Sequence, residues 1–218
     1  MLDPADTGPA CLSLCQDVQG ETFDYPEEFF KERIHNIRRP KPDDFQIKQA
    51  MEKIKKSKKP IIISGGGVFY SDAMDELGSF AIKHNIPVTQ TVMGYSTMKR
   101  DHSHFLGPIG GLGGRAANNL AKETDLAICV GTKLADFTTG SWANFENPEF
   151  KLVSINIARH DANKHLAEAV IGDAKVCLSE LSNSLGNWKS PDSWHKKSQD
   201  ELKSWNEYVD KESGPTNQ

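Results

Sequence analysis

The amino-acid sequence predicts an α/β fold, a three-layer arrangement in which a parallel sheet of about six strands lies between helices on both faces. The first observation is a set of short aliphatic runs, such as residues 60–64 and 126–130, which suit strands buried on both faces. The second is that stretches with apolar residues at helical spacing separate these runs. Strands that alternate with helices need crossover connections, and such connections make the sheet parallel.

Size, charge and composition narrow the function classes. The chain has 218 residues, 37% hydrophobic and 26% charged, which is typical of one globular domain with extensions. A net charge of −4 gives no reason to expect nucleic acid or an anionic membrane as a partner. No apolar run approaches the roughly 20 residues of a membrane span, and no secretory leader is visible. The four cysteines form no metal-ligand set, so we expect free thiols and a cytoplasmic location.

Residues 1–40 differ from the rest of the chain. Residues 9–14 are predicted to form a short strand, and an acidic, aromatic loop follows them. Because a single strand cannot form a sheet, we expect its neighbours to lie outside this sequence. Residues 38–42 are basic and stiffened by proline, as in a linker.

The predicted sheet is organised around residues 60–67, a strand that runs into three glycines. The helix before it is capped by Asp43 or Asp44. Its apolar face is formed by Ile47, Ala50, Met51 and Ile54. After the glycines, Ser71 is expected to cap a helix that ends near residue 84, and residues 86–92 are the second predicted strand.

The second half of the chain continues the alternation. Residues 105–114 are predicted as a glycine-rich loop, so the sixth strand is expected from the linker side. The remaining strands are predicted at residues 126–131, 151–157 and 169–173, and the helices at residues 115–123, 160–168, 174–185 and 190–208. The last helix is charged, and we expect it to face solvent and to dock on a neighbouring domain. Residues 212–218 are expected to be disordered.

The glycine turn at Gly65, Gly66 and Gly67 has two interpretations. A strand, a glycine turn and a helix start can bring backbone N–H groups to a phosphate at a positive helix end. The same pattern can be a tight turn that needs glycine only for its backbone. The dinucleotide-binding fingerprint is not met, because Tyr70 stands where a third small residue belongs and no acidic residue ends the strand at 86–92.

A metal site is not expected. His102 and His104 lie in one polar loop, but no nearby acid or cysteine completes a ligand set. Cys11 and Cys15 are four residues apart without a second Cys or His pair.

Several motifs in their order and spacing resemble one family. They are residues 16–19, 60–67, 91–94, 105–118, 130–136 and 171–174. Together they resemble the central domain of thiamine-diphosphate-dependent enzymes of the acetolactate synthase type. Residues 3–9, 24–26 and 136–142 further resemble the subfamily that hydrolyses a C–C bond of trihydroxycyclohexane-1,2-dione and so yields 5-deoxyglucuronate in inositol catabolism.

The resemblance implies a Rossmann-like fold and a three-domain parent enzyme that uses thiamine diphosphate and Mg. Residues 1–40 would be the tail of a pyrimidine-binding domain, 41–187 the central domain, and 188–218 a linker helix toward a diphosphate-binding domain. The family's catalytic glutamate and Gly-Asp-Gly motif are absent, since Gly172 and Asp173 precede Ala174. The fragment is therefore expected to contain no catalytic or metal-binding residue and to be inactive. Its expected partners are the other two domains, in a dimeric or tetrameric parent.

The resemblance also implies a nucleotide site, since central domains of relatives hold FAD, ADP or nothing. The positions that match it are Gly65, Gly66, Gly67, Met93, Gly94, Gly110, Gly113, Gly131, Lys133 and Asp136. Two departures are Asn156, where flavin-binding relatives have an acid, and Gly114, where they have a hydroxyl residue. The site is therefore either functional or a vestige kept for packing.

Three alternatives follow from these residues. The parent could be an acetolactate synthase-like carboligase with FAD or ADP in this domain. A complete NAD enzyme and a nucleotide module of the electron-transfer flavoprotein or deacetylase type are disfavoured by the failed fingerprint and by the lack of paired cysteines.

One further segment has two interpretations. We expect it either to face substrate at a domain junction or to contact another subunit, and its residues are Thr138, Thr139, Ser141 and Trp142.

Overall fold

A computed structural model describes residues 2–214 of the chain. The chain divides between Arg38 and Arg39 into two units, which are described separately. In residues 2–38 the regular elements are α1, Gln16–Gln19, and a 3₁₀ turn, Glu27–Phe30. Residues 9–14, predicted as a strand with neighbours outside this sequence, are exposed coil, because no segment of this unit pairs with them to satisfy the backbone of a strand. The outside neighbours stay a prediction.

The second unit contains a six-stranded, all-parallel sheet, which confirms the predicted fold class. The strands are β1 Pro60–Ser64, β2 Val88–Gln90, β3 Phe105–Pro108, β4 Leu126–Val130, β5 Lys151–Asn156 and β6 Glu168–Ile171. Their order across the sheet is β3-β2-β1-β4-β5-β6. Strand β1 is central, and its Ile62 pairs with Val88 on one side and with Ile128 on the other.

Strand β3 corrects the prediction of a loop at residues 105–114. The sixth strand is this segment and does not come from the linker side. It is short, contains Gly107 and Pro108, and pairs only with β2 at the edge of the sheet. An edge position tolerates proline because one side of the strand needs no N–H donor. Because glycine and proline are both poor strand formers, residue propensity alone does not predict this strand.

Helices cover both faces of the sheet. Their bounds are α2 Asp44–Lys56, α3 Gly66–Tyr70, α4 Met74–His84, α5 Arg115–Glu123, α6 Asp136–Thr139, α7 Arg159–Ala162, α8 Ala174–Leu185 and α9 Asp192–Glu212. One buried cluster joins the sheet to α2, α4 and α8, and a second joins it to α5 and α9. Strand β1 serves both clusters in alternation, with Ile62 in the first and Ile61 and Ile63 in the second.

Two predicted helices are corrected. Ser71 does not cap α4, whose N-cap is Ala73; it follows α3, and its side chain instead accepts a hydrogen bond from the N–H of Ala174, the first residue of α8, at 3.3 Å. The helix predicted at residues 160–168 is only α7 and a 3₁₀ turn, because His165 and Leu166 have positive φ angles of 60° and 57°, which end a right-handed helix. By contrast, α5 and α8 have the predicted bounds.

The last helix packs on the sheet unit, so the prediction that it faces solvent is wrong for one side. Trp194 is 3% exposed, and its Nε1 donates to the Pro60 carbonyl at 2.8 Å. The contacts with α5 run antiparallel: Lys197 to Glu123, Glu201 to Asn119, and Trp205 to Arg115. Docking on a further domain stays a prediction, and the disorder predicted for residues 212–218 falls mostly outside the described residues.

Within residues 2–214, each helix is too short or too polar to cross a bilayer.

Candidate functional site

The carboxyl ends of β1 and β4 form the switch point of the sheet. These neighbouring strands send the chain to opposite sides, toward β2 and toward β5. In open parallel sheets, ligands bind in the crevice at such a point. Gly65 follows β1 directly and Gly131 follows β4, so the structure brings these predicted site residues together.

The turns after β1 and β4 touch through their backbones. A Cβ on Gly67 would lie 2.6 Å from the Cα of Gly131, and one on Gly65 would lie 2.6 Å from the Cβ of Thr132. Gly131 has a φ of +61°, which side chains rarely adopt. Glycine is therefore required here by contact within the chain.

The loop after β2 meets the same turn. A Cβ on Gly94 would lie 3.0 Å from the Cα of Gly65, and one on Gly66 would lie 3.0 Å from the Met93 carbonyl oxygen. The side chain of Met93 points outward and is 75% exposed. The loops after β1, β2 and β4 thus form one continuous rim.

The second glycine loop contacts α6. Gly110 has a φ of +100°, and a Cβ on it would lie 2.8 Å from the Cα of Thr138. Asn118 of α5 holds Gly110 with both amide atoms: its Oδ1 accepts from the Gly110 N–H at 2.9 Å, and its Nδ2 donates to the Gly110 carbonyl at 3.0 Å. This role of Asn118 was not predicted from the sequence. The signal that indicates it is an amide side chain in the first turn of a helix that follows a glycine-rich loop.

Six of the seven candidate glycines have N–H groups that are already paired; among the described residues the exception is Gly66, the first residue of α3. The N–H groups of Gly65, Gly67 and Gly131 donate to the carbonyls of Val130, Gly131 and Ile155, respectively. Those of Gly94 and Gly113 donate to Thr91 and Gly110, and that of Gly110 donates to Oδ1 of Asn118. All of these distances are 2.8–3.0 Å. A phosphate cradle needs N–H groups that point at the ligand without an internal partner. The six glycines therefore do not fit a nucleotide diphosphate through their amides.

The two departures from the flavin-binding pattern also have internal contacts. The Asn156 side chain donates to the Thr132 carbonyl at 3.3 Å and accepts from the Ala158 N–H at 3.0 Å. At Gly114, a Cβ would lie 3.1 Å from Nε1 of Trp205, so α9 occupies the space of a side chain there. The charged candidates are both exposed, Lys133 on the loop after β4 and Asp136 at the start of α6.

The segment predicted to face substrate or a subunit is partly used for packing. Thr138 and Thr139 are buried, and the hydroxyl of Thr139 accepts from the Trp142 N–H at 3.3 Å. The Trp142 ring lies against Phe145 and against His165, with ring centroids 5.8 and 4.6 Å apart. Of the four residues, Ser141 is the exposed one.

The two loop histidines join a third from α9 in a packed cluster. The rings of His104 and His195 stack, with centroids 4.1 Å apart, and His102 lies 5.8 Å from His104. Burial, together with the neighbouring imidazoles, lowers the pKa of His104 to about 4, and burial lowers the pKa of His195. Nε2 of His104 faces Oδ1 of Asn85 at 3.2 Å, while Nδ2 of Asn85 donates to Asp192. His104 Nε2 is therefore the protonated nitrogen.

Within residues 2–214, His, Cys, Asp and Glu side chains form no group of three or more that could hold a metal ion. The stacked rings of His104 and His195 explain this for the histidine cluster, because stacked imidazoles do not direct their nitrogens at one point.

The six-stranded parallel sheet agrees with the fold expected for the central domain of a thiamine enzyme, and sequence comparison identifies the family. The family model of the thiamine pyrophosphate enzyme central domain matches residues 47–181, which is more than half of the chain. The chain belongs to this family, as the motifs predicted.

Among curated relatives, the chain is similar to proteins named 3D-(3,5/4)-trihydroxycyclohexane-1,2-dione hydrolase. It is 48% identical to that of Clostridium perfringens (strain 13 / Type A) over 185 residues, which cover 85% of this chain and 29% of the relative. It is 44% identical to that of Clostridium botulinum (strain Eklund 17B / Type B) over 211 residues, which cover 97% of this chain and 33% of the relative. The chain thus spans about a third or less of these relatives, which contain further sequence beyond this domain.

Proposed function

We propose that this chain is the central domain of a thiamine-diphosphate- and Mg-dependent hydrolase that cleaves a C–C bond of trihydroxycyclohexane-1,2-dione and yields 5-deoxyglucuronate. The observation that carries the proposal is the 48% identity over 185 residues to a relative with that name. The parent enzyme would act in the cytoplasm in inositol catabolism, as a dimer or tetramer.

In this proposal the reacting groups lie outside the chain. Thiamine diphosphate, when bound to the parent, supplies the electron sink for C–C cleavage. Asp173 belongs to the chain's Gly-Asp pair and is unsuited to hold the Mg. It is 3% exposed, its Oδ1 caps α8 through the Lys175 and Val176 N–H groups, and its Oδ2 lies 3.0 Å from Arg39.

The nucleotide site of this domain is, in our proposal, a vestige. Six of its seven glycine amides donate within the chain, and Asn156 and Gly114 are engaged by Thr132, Ala158 and Trp205. The glycines persist because the loops after β1, β2 and β4 need close backbone contact.

The experiment compares two proteins, the 218-residue chain and the polypeptide that contains it together with the pyrimidine- and diphosphate-binding domains. With thiamine diphosphate and Mg, the longer polypeptide is expected to hydrolyse the dione and the 218-residue chain is expected to be inactive. Turnover by the chain alone, or no dione hydrolysis by the longer polypeptide, would contradict the proposal. Acetolactate formation from pyruvate in the same assay would favour the carboligase alternative.

A further inference from the structure

The carboxyl edge of the sheet presents an apolar surface that the vestigial site does not explain. We call it the edge patch, and it consists of Phe69, Tyr70, Met93, Tyr95, Leu112 and Phe137. These side chains are 56–77% exposed. They come from the four segments that follow β1, β2, β3 and β4, two of which contain the short helices α3 and α6.

The segments that carry the patch lie in contact with one another. A Cβ on Gly66 would lie 3.6 Å from the Tyr70 ring and 3.0 Å from the Met93 carbonyl. Across the switch point, a Cβ on Gly111 would lie 3.7 Å from the Phe137 ring. The backbone contacts that close the glycine turns therefore hold the six side chains on one rim.

The size of the patch is that of a functional apolar surface. Its four aromatic residues alone leave roughly 500 Å² of surface in water, since a buried aromatic side chain covers 150–250 Å². The largest apolar patch on a typical monomer is about 300–600 Å² and is often functional. A specific interface covers about 800 Å² on each partner, of which about 56–65% is apolar, so the patch has the size of the apolar part of one interface. Aromatic residues and methionine are also the types enriched at interfaces.

We propose that the edge patch is covered by another domain of the same polypeptide, so that the edge expected to bind a nucleotide serves as an interdomain interface. This inference rests on the proposed function. The matched family model describes a central domain, and this chain spans only 29–33% of the first relatives. A covering domain in the same polypeptide is present at high effective concentration, which a second copy is not.

Hydroxyl-radical footprinting tests the interface, because Tyr, Met and Phe side chains react readily when exposed. In the 218-residue chain, Tyr70, Met93 and Tyr95 are expected to be oxidised rapidly at every protein concentration, with and without FAD or ADP. In the longer polypeptide their oxidation should fall to the level of Ile109, which is 1% exposed, while Ile82, 55% exposed on α4, stays reactive.

Three outcomes would overturn the proposal. Rapid oxidation of the edge patch in the longer polypeptide would show that no domain covers it. Protection in the 218-residue chain that grows with concentration would show a second copy, and protection that needs FAD or ADP would show a ligand. Dione hydrolysis is measured on the same sample, so failure of the interface and failure of the proposed function give different results.

A variant pair gives a second measurement. Tyr70→Ser with Tyr95→Ser is expected to leave the melting temperature of the 218-residue chain unchanged and to lower that of the longer polypeptide by several degrees. The matched control Ile82→Ser should lower neither. A double variant that melts like the unmodified protein in both lengths would contradict the interface.

Discussion

Residues 2–38 and residues 39–214 both contain large apolar side chains, but only those of residues 39–214 form a buried core. In the first unit no residue is buried, although it contains Leu12, Phe23, Phe30 and Ile34 at 70–83% exposure. In the second, Ile61, Ile62 and Ile63 are completely buried between two helical layers. An apolar side chain stabilises a fold only where other elements remove it from water. Four predictions test this contrast, ordered by the size of the expected effect.

The largest effect is expected from a buried tryptophan. Trp194→Ala should lower the free energy of unfolding by about 3–5 kcal/mol, because it empties a packed site and removes the bond to the Pro60 carbonyl. Urea denaturation followed by circular dichroism measures the loss. Phe29→Ala, at a side chain 63% exposed in the first unit, is the control and should leave the midpoint unchanged. Equal losses in both variants would contradict the contrast.

Backbone contact gives the second prediction. Gly131→Ala should lower the free energy of unfolding by about 3 kcal/mol, because its Cβ would lie 2.5 Å from the Cα of Gly67 and its φ is positive. Gly8→Ala, where a Cβ would meet nothing within 4 Å, should change nothing. Thermal unfolding of both variants measures the difference. A stable Gly131→Ala protein would mean that the turns after β1 and β4 do not touch.

The third prediction compares two ion pairs. Asp173→Ala removes a buried helix cap and the partner of Arg39, and should cost about 2 kcal/mol. Asp173→Asn keeps the cap oxygen and should cost less. The pair of Arg38 and Asp3 in the first unit is exposed, so Asp3→Ala should leave the melting temperature unchanged. Equal effects of Asp173→Ala and Asp3→Ala would show that burial does not matter here.

The smallest effect is expected from pH. The folded pKa values of His104 and His195 lie below the ordinary 6.5, so the unfolded chain binds more protons in this range. Their contribution to stability is therefore present above pH 6.5 and is lost as pH falls toward 4. Unfolding at several pH values measures this slope, and His104→Gln should make it shallower. Stability that rises on acidification over this range would contradict the buried cluster.

The sequence predicted the parts of the fold that depend on local pattern. The bounds of α5 and α8 follow from apolar periodicity, and Asp173 is an ordinary cap. Strand β3 was not predicted because Gly107 and Pro108 are poor strand formers, and its position is set by pairing with β2. Residues 9–14 are coil although their composition suits a strand, since a strand does not form without a neighbour.

For the candidate site, the sequence identified the glycines but not their partners. Their clustering at the switch point follows from the order of strands and turns. Whether their amides face a ligand depends on contacts between residues far apart in sequence, such as Gly67 with Gly131 and Gly94 with Ser64. The same holds for Trp205 over Gly114, which joins α9 to α5. Such contacts have no signature in local composition.

A ligand titration of the 218-residue chain tests most directly whether the glycine-lined edge is closed by its own backbone. The melting temperature is measured with increasing ADP and FAD. A ligand at about 100 times its Kd would add about 2.7 kcal/mol of stability, which is a shift of several degrees. We expect no saturable shift with either nucleotide. A saturable rise would contradict it and would make the switch point a working nucleotide site.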